Sequence, residues 1–167
     1  MQADPPSPLL MKRRGDYATY PRWVFPVCDY RVLDGDTVEV DLDLNFGLTK
    51  QIHIRLTGID TPELRNAAQA AAGKVAKAAI YAWLTPLFQA GRLMCEPLEE
   101  DKYGSRWIGD FFDLNHPTST RASQWMLSAG YAKVYTGGTK TAWTESELSL
   151  IVSKGPPADP GPKGPRK

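Results

Sequence analysis

The stretch TVEVDLDL at residues 37–44 alternates polar and apolar side chains along its whole length. Successive side chains of a β-strand face opposite sides of a sheet, so this pattern predicts a strand with one buried face. The stretch QIHIRL at residues 51–56 also alternates, and the intervening Asn45-Phe46-Gly47 is typical of a turn. The sequence therefore predicts a hairpin that brings the residues just before 37 alongside those just after 56.

The flanking segments extend this sheet and add helices. Residues 23–33 are predicted as a strand, and Pro26 favours an edge position for it. After Glu63 an Ala-rich stretch has helical spacing, with an interruption at Gly73 and an expected end at Thr85-Pro86. Two further strands are expected at 92–98 and 106–113. A helix is expected over 122–129, capped by Ser119 or Thr120 and ended by Gly130. A last short helix is expected at 144–153, with Leu148, Ile151 and Val152 facing inward. This order predicts an α+β fold, mainly β: a five-stranded OB-fold barrel with two to three packed helices.

Composition divides the 167-residue chain into three parts. Residues 1–22 are expected to be a flexible arm, residues 23–153 a single domain, and the Pro- and Gly-rich residues 154–167 a disordered tail. Cys28 and Cys95 lie in apolar, strand-like surroundings and are expected to be buried free thiols. We find no membrane-spanning stretch and no secretory signal, which favours a cytoplasmic protein and leaves secretion open.

Charge in the folded part argues against tight binding of a nucleic-acid duplex. Residues 28–153 carry 12 basic and 16 acidic side chains, although the whole chain has a formal charge of +1. A protein that neutralises many phosphates needs a basic surface on its folded domain. This balance favours an enzyme that contacts phosphate locally and depends on a metal ion.

Two acidic motifs lie at the ends of the predicted hairpin. Asp34-Gly35-Asp36-Thr37 precedes its first strand, and Asp60-Thr61-Pro62-Glu63 follows its second strand, five residues after Arg55. Turns of this kind can aim several oxygens at one hard cation, and Arg55 offers a positive charge to an anion such as a phosphate ester. Taken singly, each motif is also typical of a plain turn, or of a helix start with Asp60 or Thr61 as cap and Glu63 in the first turn.

With two further motifs, this set resembles the staphylococcal-nuclease-like (thermonuclease) family. The further motifs are Asp101-Lys102-Tyr103-Gly104 with an arginine shortly after it, and the run from Ala129 to Val134. The four motifs occur in the family's order, and the resemblance covers roughly residues 24–136.

The resemblance implies an OB-fold nuclease that acts on DNA, RNA or both, with one divalent cation, expected to be Ca²⁺. It implies no membrane and gives no sign of a required protein partner. The implied roles are metal binding by the side chains of Asp36 and Asp60 and the backbone carbonyl of Thr61, general base catalysis by Glu63, phosphate binding by Arg55 and Arg106, and substrate contacts by Lys102, Tyr103 and Tyr135. Tyr135 has a core aromatic position as an equal alternative.

The sequence departs from the family's pattern in two places. Ser105 separates the Tyr-Gly pair from Arg106, where the family has the arginine directly after the glycine. The family's long C-terminal helix is also shortened or replaced. Two other functions stay open: an inactive nuclease-like module that binds nucleic acid or protein, and a secreted scavenging enzyme, against which the missing signal counts.

Overall fold

The computed structural model describes residues 23–101 and 104–164 of the chain. The residues within these ranges form seven strands and three helices. In chain order these are β1 (Phe25–Asp34), β2 (Thr37–Asp43), β3 (Thr49–Leu56), β4 (Ile59–Asp60), α1 (Ala70–Gln89), β5 (Leu93–Glu100), β6 (Trp107–Asp113), α2 (Ala122–Ser128), β7 (Lys133–Val134) and α3 (Glu145–Lys154).

Five strands close into a barrel in the order β1-β2-β3-β6-β5, with β5 paired to β1. Neighbouring barrel strands are antiparallel except β3 and β6, which run parallel. The two remaining strands, β4 and β7, form a separate two-residue ladder. This is the predicted α+β, mainly β architecture: an OB-like barrel with packed helices. None of the helices in the described ranges has the length and hydropathy that crossing a membrane requires.

The predicted hairpin of β2 and β3 is confirmed, together with its buried face. Val38 pairs with Ile54 and Val40 pairs with Ile52, while Thr37 pairs with Arg55. Val38, Val40 and Ile54 are fully buried, so the alternating apolar positions do face the core. Removing such side chains from water is the main source of stability for a barrel of this kind. Cys28 and Cys95 are buried free thiols, as predicted.

Helix α1 continues beyond its predicted end at Thr85-Pro86. It runs to Gln89 with Pro86 inside it. Proline removes one backbone hydrogen bond, but the Thr85 hydroxyl donates to the Tyr81 carbonyl oxygen at 2.7 Å and contacts the Tyr30 hydroxyl at 2.6 Å. Leu84 and Thr85 are fully buried, so packing on the barrel holds the last turn in helical form.

The sequence pattern predicted that Gly73 would interrupt α1, and this prediction is wrong: the helix is continuous there. Gly73 instead lets the helix pack closely. A Cβ atom at this position would lie 2.8 Å from the Pro62 carbonyl oxygen. A side chain there would push the helix away from the segment that carries Glu63.

Helix α2 has a different N-cap from the predicted one. Arg121 occupies the cap, whereas Ser119 lies outside the helix and donates its hydroxyl to the His116 carbonyl oxygen at 2.7 Å. Asp110 of β6 accepts from the Ser123 backbone N–H at 3.1 Å and from the Ser123 hydroxyl. A carboxylate on another element thus satisfies the start of this helix, which is why neither Ser119 nor Thr120 is needed as a cap.

The C-terminal segment packs on the domain. In α3, Ile151 is buried and Leu148 packs against the core, but Val152 is exposed, contrary to the prediction that all three face inward. Residues 155–164 have neither helix nor strand, in keeping with their composition. They nevertheless contact the barrel side of α1, where the Tyr81 hydroxyl donates to the Gly161 carbonyl oxygen at 3.1 Å.

Candidate functional site

The two acidic motifs meet at one end of the β2–β3 hairpin. The Leu56 backbone N–H donates to the Asp36 carbonyl oxygen at 2.8 Å, which joins the start of β2 to the end of β3. The short ladder between β4 and β7 pairs Asp60 with Lys133 and so fixes Asp60 against the segment that leads to α3. Asp36 and Asp60 are both only 4% exposed. The expected juxtaposition of the motifs is therefore present.

Asp36 is held by three donors. Its Oδ1 accepts from the Thr37 hydroxyl at 2.9 Å and from Arg55 Nη1 at 3.1 Å. Its Oδ2 accepts from the Thr61 backbone N–H at 3.3 Å. Each carboxylate oxygen can accept two hydrogen bonds, so Asp36 Oδ2 keeps one lone pair for a further ligand.

Asp60 contacts two cations and an indole. Its Oδ1 lies 3.4 Å from Arg55 Nη2 and 2.9 Å from Lys140 Nζ. Its Oδ2 accepts from Trp143 Nε1 at 3.1 Å. Arg55 therefore bridges the two buried aspartates, while Lys140 and Trp143 bind Asp60 from the segment between β7 and α3.

Glu63 lies at the open side of this cluster. Its side chain is 54% exposed, and its Oε1 lies 2.8 Å from Lys140 Nζ. Its backbone N–H donates to Gln69 Oε1 at 2.9 Å, which orders the segment before α1. This carboxylate meets solvent and shares Lys140 with Asp60, so it can exchange protons with water beside the buried acids.

The accumulated negative charge changes the titration of neighbouring groups. Partial burial raises the pKa of Asp34, and repulsion from Asp36 and Glu63 adds to this, against a hydrogen bond from the Gly35 N–H. Partial burial opposes the charge of Lys140, but hydrogen bonds to Glu63 and Asp60 outweigh it and raise the pKa of Lys140.

The expected ligands of a metal ion at this site are few, and all of them are oxygens, which hard cations prefer. Among the described residues no group of three or more His, Cys, Asp or Glu side chains is arranged to hold a metal ion. The expected ligands are two carboxylates and the Thr61 carbonyl, all oxygens, which is the chemistry that Ca²⁺ prefers. The buried Thr61 hydroxyl has no hydrogen-bond partner within the described part of the chain, and it lies next to Gly35, so a further oxygen is unused in this turn. These residues fit such an ion once the side chains of Arg55 and Lys140 move away from the aspartate oxygens that they contact.

The residues expected to contact substrate are only partly assembled. Tyr135 is half-buried, and the Arg55 guanidinium lies 5.7 Å from its ring centroid, so it is brought to the site. Arg106 comes just before β6, which begins at Trp107, one residue later than predicted. Its Nε lies 3.1 Å from Asp101 Oδ2, and among the described contacts it reaches none of the site's carboxylates. Lys102 and Tyr103 fall outside the described residues.

Sequence reasoning missed two residues that contact the acids directly, Lys140 and Trp143. Lys140 lies in the segment Gly137-Gly138-Thr139-Lys140-Thr141, which lacks the spacing of a phosphate-binding loop. It is 80 positions after Asp60 in the chain, and no motif links the two. The residues around Trp143 in the sequence do not distinguish it from a tryptophan of the hydrophobic core. Only the folded chain reveals these contacts.

No protein-family model matches this chain, and no curated protein shows significant similarity to it.

Proposed function

We propose that the protein is a metal-dependent nuclease that hydrolyses phosphodiester bonds in DNA, RNA or both. The observation that carries this proposal is the pairing of two buried aspartates, Asp36 and Asp60, across a bridging Arg55, with the exposed Glu63 at the open side. Cationic side chains satisfy the need of these buried carboxylates for partners, and the clustering of both acids near the exposed Glu63 favours a binding function.

The metal would be held by Asp36, Asp60 and the Thr61 carbonyl, and Ca²⁺ is the expected ion. When bound it would offset the charge of the phosphate and polarise its oxygens. Arg55 would then orient the phosphate and stabilise the charge that develops on it, since its guanidinium can form two parallel hydrogen bonds to an oxyanion. To do so it would exchange one aspartate contact for the substrate.

Glu63 would take the proton from the attacking water. This role needs a carboxylate that meets solvent and stays ionised near neutral pH, and the 54% exposed side chain of Glu63 meets the first condition. Tyr135, beside Arg55, would stack on or hydrogen-bond the nucleotide. Arg106 as a second phosphate ligand, with Lys102 and Tyr103 as further substrate contacts, remains part of the proposal.

A second candidate is a nuclease-like module that binds nucleic acid or protein without cleaving it. The ion pair of Arg106 with Asp101 favours this candidate, because it directs the second arginine to a structural partner. So does the engagement of both Asp60 oxygens by side chains of the same chain.

Cleavage assays separate the two candidates. Purified protein is incubated with plasmid DNA, single-stranded DNA and RNA in Ca²⁺, in Mg²⁺ or in excess chelator. We expect cleavage with Ca²⁺, none with chelator, and none from Asp60→Asn. Asp41→Asn is the matched control, because Asp41 lies on β2 and accepts from Gln51 Nε2 at 3.1 Å, away from the site. Undiminished cleavage in chelator contradicts the metal mechanism, and binding without cleavage supports the module.

A further inference from the structure

Lys140 places its ammonium between two acids of the candidate site. Its Nζ is 2.9 Å from Asp60 Oδ1 and 2.8 Å from Glu63 Oε1, so the ammonium bridges an expected metal ligand and the expected general base. Its side chain is 41% exposed. The ammonium is only partly buried, so rotation about the side-chain bonds of Lys140 can carry it away from the carboxylates.

The segment that carries Lys140 contacts the same aspartate twice. Trp143 Nε1 donates to Asp60 Oδ2 at 3.1 Å, and Lys133 Nζ lies 4.2 Å from the centroid of the Trp143 ring. At the other end of the segment, the Tyr135 hydroxyl donates to the Gly138 carbonyl oxygen at 3.1 Å. Residues 136–143 therefore contact Asp60 through Lys140 and Trp143, and Lys140 is their charged contact.

The charges of the cluster indicate that the Lys140 ammonium opposes the approach of a divalent cation to Asp60. The three carboxylates of Asp36, Asp60 and Glu63 face two cations, Arg55 and Lys140. A divalent cation that approaches Asp60 is repelled by the nearby ammonium and finds Asp60 Oδ1 already bound to Arg55 and Lys140. Without the ammonium, the cluster has one more unit of negative charge and a free lone pair.

We propose that Lys140 is a tethered competitor of the divalent cation. The ammonium occupies Asp60 and Glu63 while the cation is absent, and binding of the cation displaces it and releases residues 136–143 from the acids. This inference rests on the proposed function, because it concerns the same metal site. It makes Lys140 the residue that sets the cation concentration at which the site fills.

Calorimetric Ca²⁺ titration of the whole chain tests the proposal. Lys140→Met keeps the length of the side chain and removes its charge, and should bind Ca²⁺ about five- to tenfold more tightly than wild type. Lys74→Met is the matched control, because Lys74 is exposed on α1 and next to Gly73, which packs on Pro62, yet contacts neither Asp60 nor Glu63 among the described residues. Its affinity should change less than about twofold.

A second measurement follows the segment itself. The indole N–H resonance of Trp143, assigned with Trp143→Phe, should move when Ca²⁺ saturates the wild type, because its contact with Asp60 Oδ2 changes. Equal Ca²⁺ affinities of wild type and Lys140→Met overturn the inference and leave the proposed function standing. Failure of all three proteins to bind Ca²⁺ overturns both.

Discussion

Two pairs of buried carboxylates in this molecule differ in what holds them. Asp36 and Asp60 lie at the end of the β2–β3 hairpin and are 4% exposed. Glu96 and Asp110 face each other across β5 and β6 and are 2% exposed. Burial alone therefore does not distinguish the two pairs, and the donors around them do.

Asp110 is bound largely by the backbone. It accepts from the N–H groups of Phe111 at 2.8 Å and Ser123 at 3.1 Å, besides the Ser123 hydroxyl. Arg121 Nη1 lies 2.5 Å from Glu96 Oε2 and so completes a link between the barrel and α2. Burial raises the pKa of Asp110 in spite of these donors. Backbone donors cannot leave without local unfolding, so Asp110 has a structural role.

Asp60 is bound by side chains that can move away. Its partners are Arg55, Lys140 and Trp143, and Lys140 is also shared with the exposed Glu63. Side-chain donors can be exchanged for a ligand by rotation about a few bonds. The comparison teaches that exchangeable partners, more than burial, identify acids that are available for binding.

The largest effect is expected at Glu63. Glu63→Gln removes the proposed general base and should lower single-turnover cleavage by on the order of 10²–10⁴-fold, with Ca²⁺ binding largely kept. Glu99→Gln, an exposed acid on β5, should cleave like wild type. If Glu63→Gln weakens Ca²⁺ binding as much as Asp36→Ala does, Glu63 is a metal ligand and its assignment as base is wrong.

Arg106 should have the next largest effect. Arg106→Ala should lower turnover by roughly 10²-fold, the usual loss when one charge-stabilising donor is removed. Arg92→Ala is a close control: Arg92 pairs with Asp113 at 3.1 Å and is 33% exposed, against 3.1 Å and 34% for Arg106 with Asp101. Lys102→Ala should mainly alter the salt dependence of substrate binding. Near-wild-type turnover of Arg106→Ala would mean that the extra Ser105 has removed the arginine from the site.

The structural pair should respond in stability and not in catalysis. Asp110→Ala leaves the buried Ser123 N–H and hydroxyl without their acceptor, so the free energy of unfolding should fall by about 1–3 kcal/mol in urea titrations. Asp43→Ala, which removes a solvent-exposed acceptor at the end of β2, should cost less. Turnover per folded molecule of Asp110→Ala should match wild type. A loss of turnover without a loss of stability would mean that Asp110 takes part in cleavage.

The smallest effect is expected at Asp34, and it depends on pH. Because the folded protein raises the pKa of Asp34 above 3.8, the unfolded chain loses this proton first and stability falls as pH rises through the folded pKa. Asp34→Asn should therefore be more stable than wild type at pH 7 in chelator, by less than about 1 kcal/mol since the group is only partly buried and solvent screens its charge. The difference should vanish in urea titrations below the ordinary pKa. Lower stability of Asp34→Asn at neutral pH would contradict the raised pKa of Asp34, which burial and then repulsion from Asp36 and Glu63 produce.

Several features could be predicted because neighbouring residues in the chain encode them. The alternation of residues 37–44 and 51–56 specifies strands, and the turn between them fixes which ends meet, so Asp36, Arg55 and Asp60 were expected together. The β-barrel with packed helices followed from the order of the elements. Predictions from local pattern were wrong where a contact with a distant residue decides the structure. Packing of Thr85 on the barrel carries α1 past Pro86. Asp110 of β6 accepts from the first turn of α2, so the predicted cap residues are not used.

The sequence by itself determined the barrel, the hairpin and the two acidic motifs at its end, since these depend on side-chain periodicity and turn residues within short stretches. Only the tertiary structure decided which cations meet the acids. Lys140 reaches Asp60 because a two-residue ladder between β4 and β7 anchors the segment that carries it, and Arg106 is paired with Asp101 instead. Ion pairs act over a few ångströms in space and are indifferent to separation along the chain, so sequence spacing cannot specify them.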